Sequence, residues 1–238
     1  MPSLNLQSIE ITSPNKSLQP TLKARLSFTL SVNIIEMKEQ EIENIKNKNI
    51  IDMAITFTAM MRVFKKGSKS KITSKIGEIF LKLDRITDGK QYQDIHDSFC
   101  VWFTEHIFTA EKTFKNKRGT KLSKNTSYGQ AAKIFDIAVK VYVYYCRLPS
   151  PEVAARLLPF LNGAVDTPIM KHLKSKFKEP PVSATTIEEV DKQTYKMLQS
   201  LITKDIKENR NNIHPVQYDD IKWYELNRAQ QVHPADPE

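Results

Sequence analysis

Residues 128–146 read YGQAAKIFDIAVKVYVYYC, and this run decides the fold class. Wound as a helix, it carries bulky apolar side chains on most of its circumference, which places it at the centre of a helical bundle rather than on its outside. Asn125 to Ser127 supply capping residues at its start, and Leu148-Pro149-Ser150-Pro151 stops it. Its most apolar stretch, Val141–Cys146, falls far short of the roughly 20 residues that a membrane helix needs.

Helical signals continue on both sides. Met37–Phe64 has Glu36, Glu39, Glu41 and Glu43 at its start and Lys65-Lys66-Gly67 at its end, a charge order that suits the helix dipole. Ser70–Ile86 and Tyr92–Phe114 read as two further helices divided by Asp88-Gly89. Downstream, a short helix over 152–158 precedes the Asn162-Gly163 turn, and Asp166 or Thr167 caps a helix from Pro168 to Phe177. Residues 178–183 form a linker. Thr186-Ile187-Glu188-Glu189 reads as a capping box that launches a helix through Lys207, with Ile187, Val190, Leu198, Leu201 and Ile206 inward. A last short helix, about 219–230, carries Ile221, Trp223 and Leu226.

The N-terminal stretch has a different period. From Leu22 to Ile34 every even residue is apolar and every odd one polar, which puts all seven apolar side chains on one face of a strand. Leu4–Ile11 is a shorter strand candidate, with Ser13-Pro14-Asn15-Lys16 and Gln19-Pro20 as turn residues between them. A two-stranded ribbon is marginal alone, so this antiparallel hairpin must pack on the helical body or on a protein partner. The expected organisation is mainly α: a hairpin over 1–36, a helical core over 37–178, and C-terminal helices over 184–238 in the same domain.

Composition excludes several chemistries. The chain has 238 residues, 36 Lys+Arg against 27 Asp+Glu, and a net charge of +9. Its six glycines, at 67, 77, 89, 119, 129 and 163, lie too far apart for a Walker loop, a GxGxxG turn or a GxSxG elbow. Cys100 and Cys146 make neither a CxxC pair nor a four-cysteine zinc site, and HExxH is absent. His96, Cys100 and His106 share one segment, but His106 is turned well over 90° from Cys100 on a helix at 100° per residue, so a packed cysteine and surface histidines are expected. No metal or cofactor is expected. The N-terminus shows neither a basic region nor an apolar core of the signal-peptide kind, and the expected location is cytoplasmic, with reduced thiols.

The basic residues cluster. Lys65, Lys66, Lys69, Lys71 and Lys75 form one run without an acid; Lys112, Lys115, Lys117, Arg118, Lys121 and Lys124 form a second; Lys171, Lys174, Lys176 and Lys178 form a third beside His172. Each lies at a helix end or in an interhelical loop, where a bundle can gather them on one rim. Counterion release from phosphates needs such clustering, so nucleic acid, DNA or RNA, is the first partner class. No aromatic platform is interleaved with the runs, and no base specificity is expected. Ser127, Gly129, Gln130 and Lys133 offer a second feature, a helix start with uncovered backbone N–H groups that suits a phosphate. The alternative for this helix is a single solvated stripe of Gln130, Lys133, Asp136, Lys140 and Arg147, with an ordinary Asp136–Lys140 ion pair. Asp219 and Asp220 read as a helix start.

Two resemblances bear on function. Arg228-Ala229-Gln230-Gln231-Val232-His233 is similar in spacing to the Arg/His signature of HEPN-type ribonucleases, but has Ala229 where that family has a polar residue. Arg210-Asn211-Asn212-Ile213-His214 has the polar residue and one position too few. This resemblance implies metal-independent RNA cleavage by an Arg/His pair. The block from YGQAAK at 128–133 to VDTP at 165–168 resembles small, uncharacterised prokaryotic helical proteins; it implies no activity and draws attention to Gln130, Lys133 and Asp166. The reading is therefore a basic helical nucleic-acid-binding protein, non-enzymatic, within a larger assembly. A HEPN-like ribonuclease and a protein–protein subunit using its hairpin stay open beside it.

If Leu22–Ile34 is a strand with its even face buried, Phe28→Asp abolishes cooperative folding, because a buried unpaired carboxylate costs several kcal/mol. Thr29→Asp stays within about 1 kcal/mol of wild type. Equal sensitivity of the two sites in urea melts would exclude the strand.

Overall fold

A computed structural model describes residues 41–56, 59–110, 112–113, 121–122, 125–179, 181–209 and 212–231. The expected N-terminal hairpin lies outside them. The described chain is mainly helical. Its elements are α1 (41–56), α2 (Ser68–Phe80), α3 (Gly89–His106), β1 (Lys112–Thr113), β2 (Lys121–Leu122), α4 (Tyr128–Val139), α5 (Pro151–Leu157), α6 (Thr167–Lys176), α7 (Lys192–Asn209) and α8 (Pro215–Gln231). The chain divides into two compact units, Met1–Lys46 and Asn47–Glu238. Of the first, only the opening of α1 is described; everything that follows concerns the second.

α4 is the centre of this unit. Of its residues only Lys133 and Ile137 reach partial exposure, and it packs most extensively on α3, then on the turn at 187–190 and on α7. Phe135 stacks against Phe99 of α3 with ring centroids 4.9 Å apart. The expected helix over 128–146 exists, but its last part, Lys140–Tyr145, is a π-helix. The wider turn carries Lys140, Tyr142 and Val143 inward, with Tyr142 against Phe80 at 4.3 Å. No helix among the described residues is long and apolar enough to cross a membrane.

Boundaries shift where a side chain competes for the backbone. α3 begins at Gly89, earlier than Tyr92, because Asp88 accepts the N–H of Gln91 at 2.8 Å. It ends at His106 rather than near Phe114, since the chain leaves the helix to pair with residues 63–65. α2 stops at Phe80, and Leu83–Arg85 is a separate 3-10 turn. The Thr186–Glu189 box does not launch α7. Glu189 instead accepts from the N–H and hydroxyl of Thr185, at 2.7 and 2.9 Å, and Asp191 caps α7 through the N–H of Thr194 at 2.7 Å. α8 starts at Pro215, so Asp219 and Asp220 lie inside it and are not its N-terminus. Asp166 caps α6, as expected.

The tightest approach is at Gly129. A Cβ there would lie 2.5 Å from Val190 Cβ and 2.6 Å from the Ile187 carbonyl oxygen. Its N–H donates to the Val190 carbonyl at 2.8 Å. Gly129→Ala should therefore lower stability by roughly 1–3 kcal/mol, as overpacking against backbone does. An unchanged urea midpoint would refute this close approach.

Candidate nucleic-acid interface

Backbone pairing ties the first basic run to the segment that precedes the second. The Lys65 N–H donates to the Phe108 carbonyl at 2.9 Å, and the Ala110 N–H to the Val63 carbonyl at 2.7 Å, around an antiparallel bridge between Phe64 and Thr109. Phe108 also bridges Asn125, and farther out Lys112 pairs with Leu122 and Thr113 with Lys121. Two pieces of the second run, Lys112–Thr113 and Lys121–Leu122, thus pair with each other a few residues beyond the strand pairing on which Lys65 sits. Lys115, Lys117, Arg118 and Lys124 lie outside the described residues; of Lys112 and Lys121 the backbone is described.

Lys65, Lys66, Lys69 and Lys71 are exposed at the start of α2. Lys75 is partly exposed, 3.2 Å from Glu78. The third run is placed otherwise. It belongs to α6, whose neighbours are α7 and α8, and two of its lysines serve the fold. Lys174 donates to the Ala184 carbonyl at 3.0 Å, and Lys176 is bound by Asp205, with Glu208 at 3.1 Å. Lys171 and Lys178 are exposed. Of the three runs expected on one rim, the first is tied by backbone pairing to the segment that leads into the second.

The phosphate site expected at the start of α4 is occupied by protein. Ser127 and Gln130 form a capping box with each other, the Ser127 hydroxyl also donates to the Ile187 carbonyl at 3.0 Å, and Gly129 is pressed against Val190. The N–H groups that an anion needs already have partners. Lys133 instead lines a pocket of about 140 Å³ with Asp166, Asp219, Asp220 and Trp223. Three carboxylates make that pocket a poor host for phosphate.

The stripe expected along α4 is not solvated either. Asp136 is buried, 3.2 Å from His96 Nε2 and 2.7 Å from the Tyr195 hydroxyl. Tyr195 also lies parallel to the His96 ring, with centroids 5.1 Å apart. On the other side of His96, Nδ1 faces Cys100 Sγ at 3.8 Å and the Tyr128 hydroxyl at 3.4 Å, and Tyr128 donates to Asp97, which Lys192 reaches at 2.8 Å. Burial opposes charging of His96, but the Cys100 sulfur and the Asp136 carboxylate outweigh it and hold its pKa above the ordinary value. Burial pushes the Cys100 thiol up. His96 is thus a core histidine rather than a surface one. The His96–Asp136–Tyr195 group is closed from solvent, and through it the network fixes α3, α4 and α7 to one another. His106 is exposed with Nδ1 2.8 Å from the Trp102 carbonyl, and among the described residues no group of histidines, cysteines and carboxylates suits a metal ion.

Lys140 does not pair with Asp136. The π-helix turns it to α8, where it meets Asp219 at 2.6 Å and Asp220, which also accepts from Tyr145. Burial raises the Asp219 carboxyl to about 6, against the pull of Lys140. The residues of the ribonuclease-like pairs do not assemble in view: Arg210 and His233 lie outside the described residues, nothing is described of the Arg228 side chain, and His214 offers its N–H to Gln217 just before α8. Compared with known protein families, curated proteins and solved structures, the chain matches none of them.

Asp205 joins α6, α7 and α8. It accepts from Lys176, from the Tyr218 hydroxyl at 2.5 Å and from Asn209 at 2.8 Å, with His172 Nε2 at 3.3 Å. Burial opposes its ionisation, but Lys176, Tyr218 and His172 prevail and bring its pKa down to about 2. A carboxyl depressed in the folded state stabilises fully above its unfolded pKa near 4, and that contribution disappears as pH falls towards 2. Asp205→Asn should cost roughly 2 kcal/mol at pH 7. Urea melts should show the gap to wild type closing below about pH 4; a constant gap would contradict the assignment.

Proposed function

We propose that this protein binds nucleic acid through the phosphate backbone, on the surface formed by the Lys65–Lys75 run and the second basic run, 112–124. The observation that supports it is the antiparallel pairing of residues 63–65 with 108–110. Through it the first run is tied to the segment that leads into the second, some forty residues away in sequence, and neither run contains an acid. Eleven basic residues in these two runs concentrate the positive potential that a polyanion seeks. The fold contributes in a second way. Asp136, Asp205 and Asp219 are turned inward, to His96, Lys176 and Lys140. Backbone recognition of this kind positions a nucleic acid without reading its bases.

Fluorescence anisotropy with a labelled 20-mer tests the proposal. Wild type should bind at about 50 mM salt and lose affinity linearly on a log–log salt plot. Charge reversal at Lys65, Lys66 and Lys69, or at Lys117, Arg118 and Lys121, should weaken all sequences alike and flatten the slope by about 1 for each phosphate no longer held. Reversal at Lys171 and Lys178, in the α6 run, should leave binding unchanged. Equal effects from that run and the 112–124 run, or no binding by wild type, would overturn the assignment.

A further inference from the structure

The sequence shows no aromatic platform interleaved with the basic runs, yet the fold supplies a row of rings from another element. Trp102 and His106 stand one turn apart at the end of α3, ring centroids 5.4 Å apart and planes within 16°. The Trp102 carbonyl, 2.8 Å from Nδ1, holds the imidazole in this stack and leaves His106 exposed. Two residues on, Phe108 is 38% exposed on the very strand whose carbonyl receives the Lys65 N–H. The first basic run brackets these rings. Lys75 Nζ lies 5.7 Å from the Trp102 ring and Lys65 Nζ 5.9 Å from that of Phe108.

Single exposed rings are common on protein surfaces and need no explanation. Three within seven residues, with a lysine of one acid-free run against each end, form a different surface. His106, backed by Trp102, and Phe108 are the exposed rings on which a base can stack, and the adjacent ammoniums are partners for the phosphates that follow. A duplex keeps its bases stacked inside and presents only phosphates to such a place. An unpaired strand can use both features. Glu105, exposed between Trp102 and His106 in sequence, repels phosphate, which directs the backbone to the Lys65–Lys75 side of the rings.

We propose that the occupant of this surface is single-stranded nucleic acid, with bases stacked on His106–Trp102 and on Phe108 and phosphates held by the Lys65–Lys75 run. The inference rests on the reading that this basic surface binds nucleic acid and adds the class of ligand. Strand chemistry is not part of it, because DNA and RNA bases present the same π-faces.

The test uses the full chain carrying Trp223→Phe, so that Trp102 is the sole tryptophan. Titration with dT20, U20 and a 20-bp duplex is followed by tryptophan emission and, with labelled ligands, by anisotropy. Either single strand should quench Trp102 and bind roughly tenfold or more tightly than the duplex. His106→Ala and Phe108→Ala should each lower single-strand affinity by roughly tenfold while leaving duplex affinity and the salt slope as they were. Both sites are exposed enough to tolerate truncation, and the quenching experiment needs no change to either ring. Equal affinity for strand and duplex, with no quenching, would overturn the single-strand assignment and leave phosphate binding intact. Failure of all three ligands to bind at about 50 mM salt would overturn both readings.

Discussion

His96 and Asp136 face each other 3.2 Å apart where water does not reach, and Tyr195 closes the group from a third helix. Ionised or polar groups in such a place are tolerated only with every hydrogen bond made, because the cost of leaving one unmade rises as the dielectric falls. The three helices that carry them therefore have little freedom of register. Tyr128 and Asp97 continue the constraint outward until Lys192 meets it at the surface. With α4 held in this way, its first turn is pressed on Val190, and the only residue that fits there is glycine. The place of the 187–190 turn, and so of α7, follows from the same close approach.

A second consequence is electrostatic. Carboxylates engage selected cations: Lys140 beside Asp219 and Asp220, Lys176 beside Asp205, and at the surface Lys192 beside Asp97. Those lysines are engaged by the fold. The lysines at the start of α2 have no such role, and the run 112–124 adds six more basic residues, with Glu111 just ahead of it. Lys65, Lys66, Lys69 and Lys71 are exposed beside one short strand pairing. That separation is what the proposed interface depends on, and the rings of Trp102, His106 and Phe108 lie at its border.

Legibility in the sequence followed the range of the forces involved. α4 was legible because an apolar circumference has no other stable home, and Asp166 was legible as a cap because capping is settled within three residues. The Thr186–Glu189 box was misleading for a related reason. Its side chains do bond locally, but Glu189 satisfies Thr185, and Asp191 was the better cap for α7. Asp136 and Lys140 were spaced as an i,i+4 pair, and each found a stronger partner on another helix. The π-helix that redirects Lys140 has no local signature in KVYVYY. The only hint of the buried network was a charged residue, Asp136, amid the most apolar stretch of the chain, with the His96–Cys100 spacing on another helix.

By itself, then, the sequence determined the helical class, the central position of residues 128–146, the absence of nucleotide-loop and zinc motifs, and the existence of three acid-free basic runs. Those properties reside in composition and in periods of a few residues. Tertiary structure decided which runs are neighbours, which lysines are already engaged, and that the helix start suited to phosphate is filled by a turn sixty residues away. Partners of buried charges and pairings of short strands are chosen by three-dimensional proximity and by the need to satisfy every buried polar atom, and neither leaves a periodic trace along the chain.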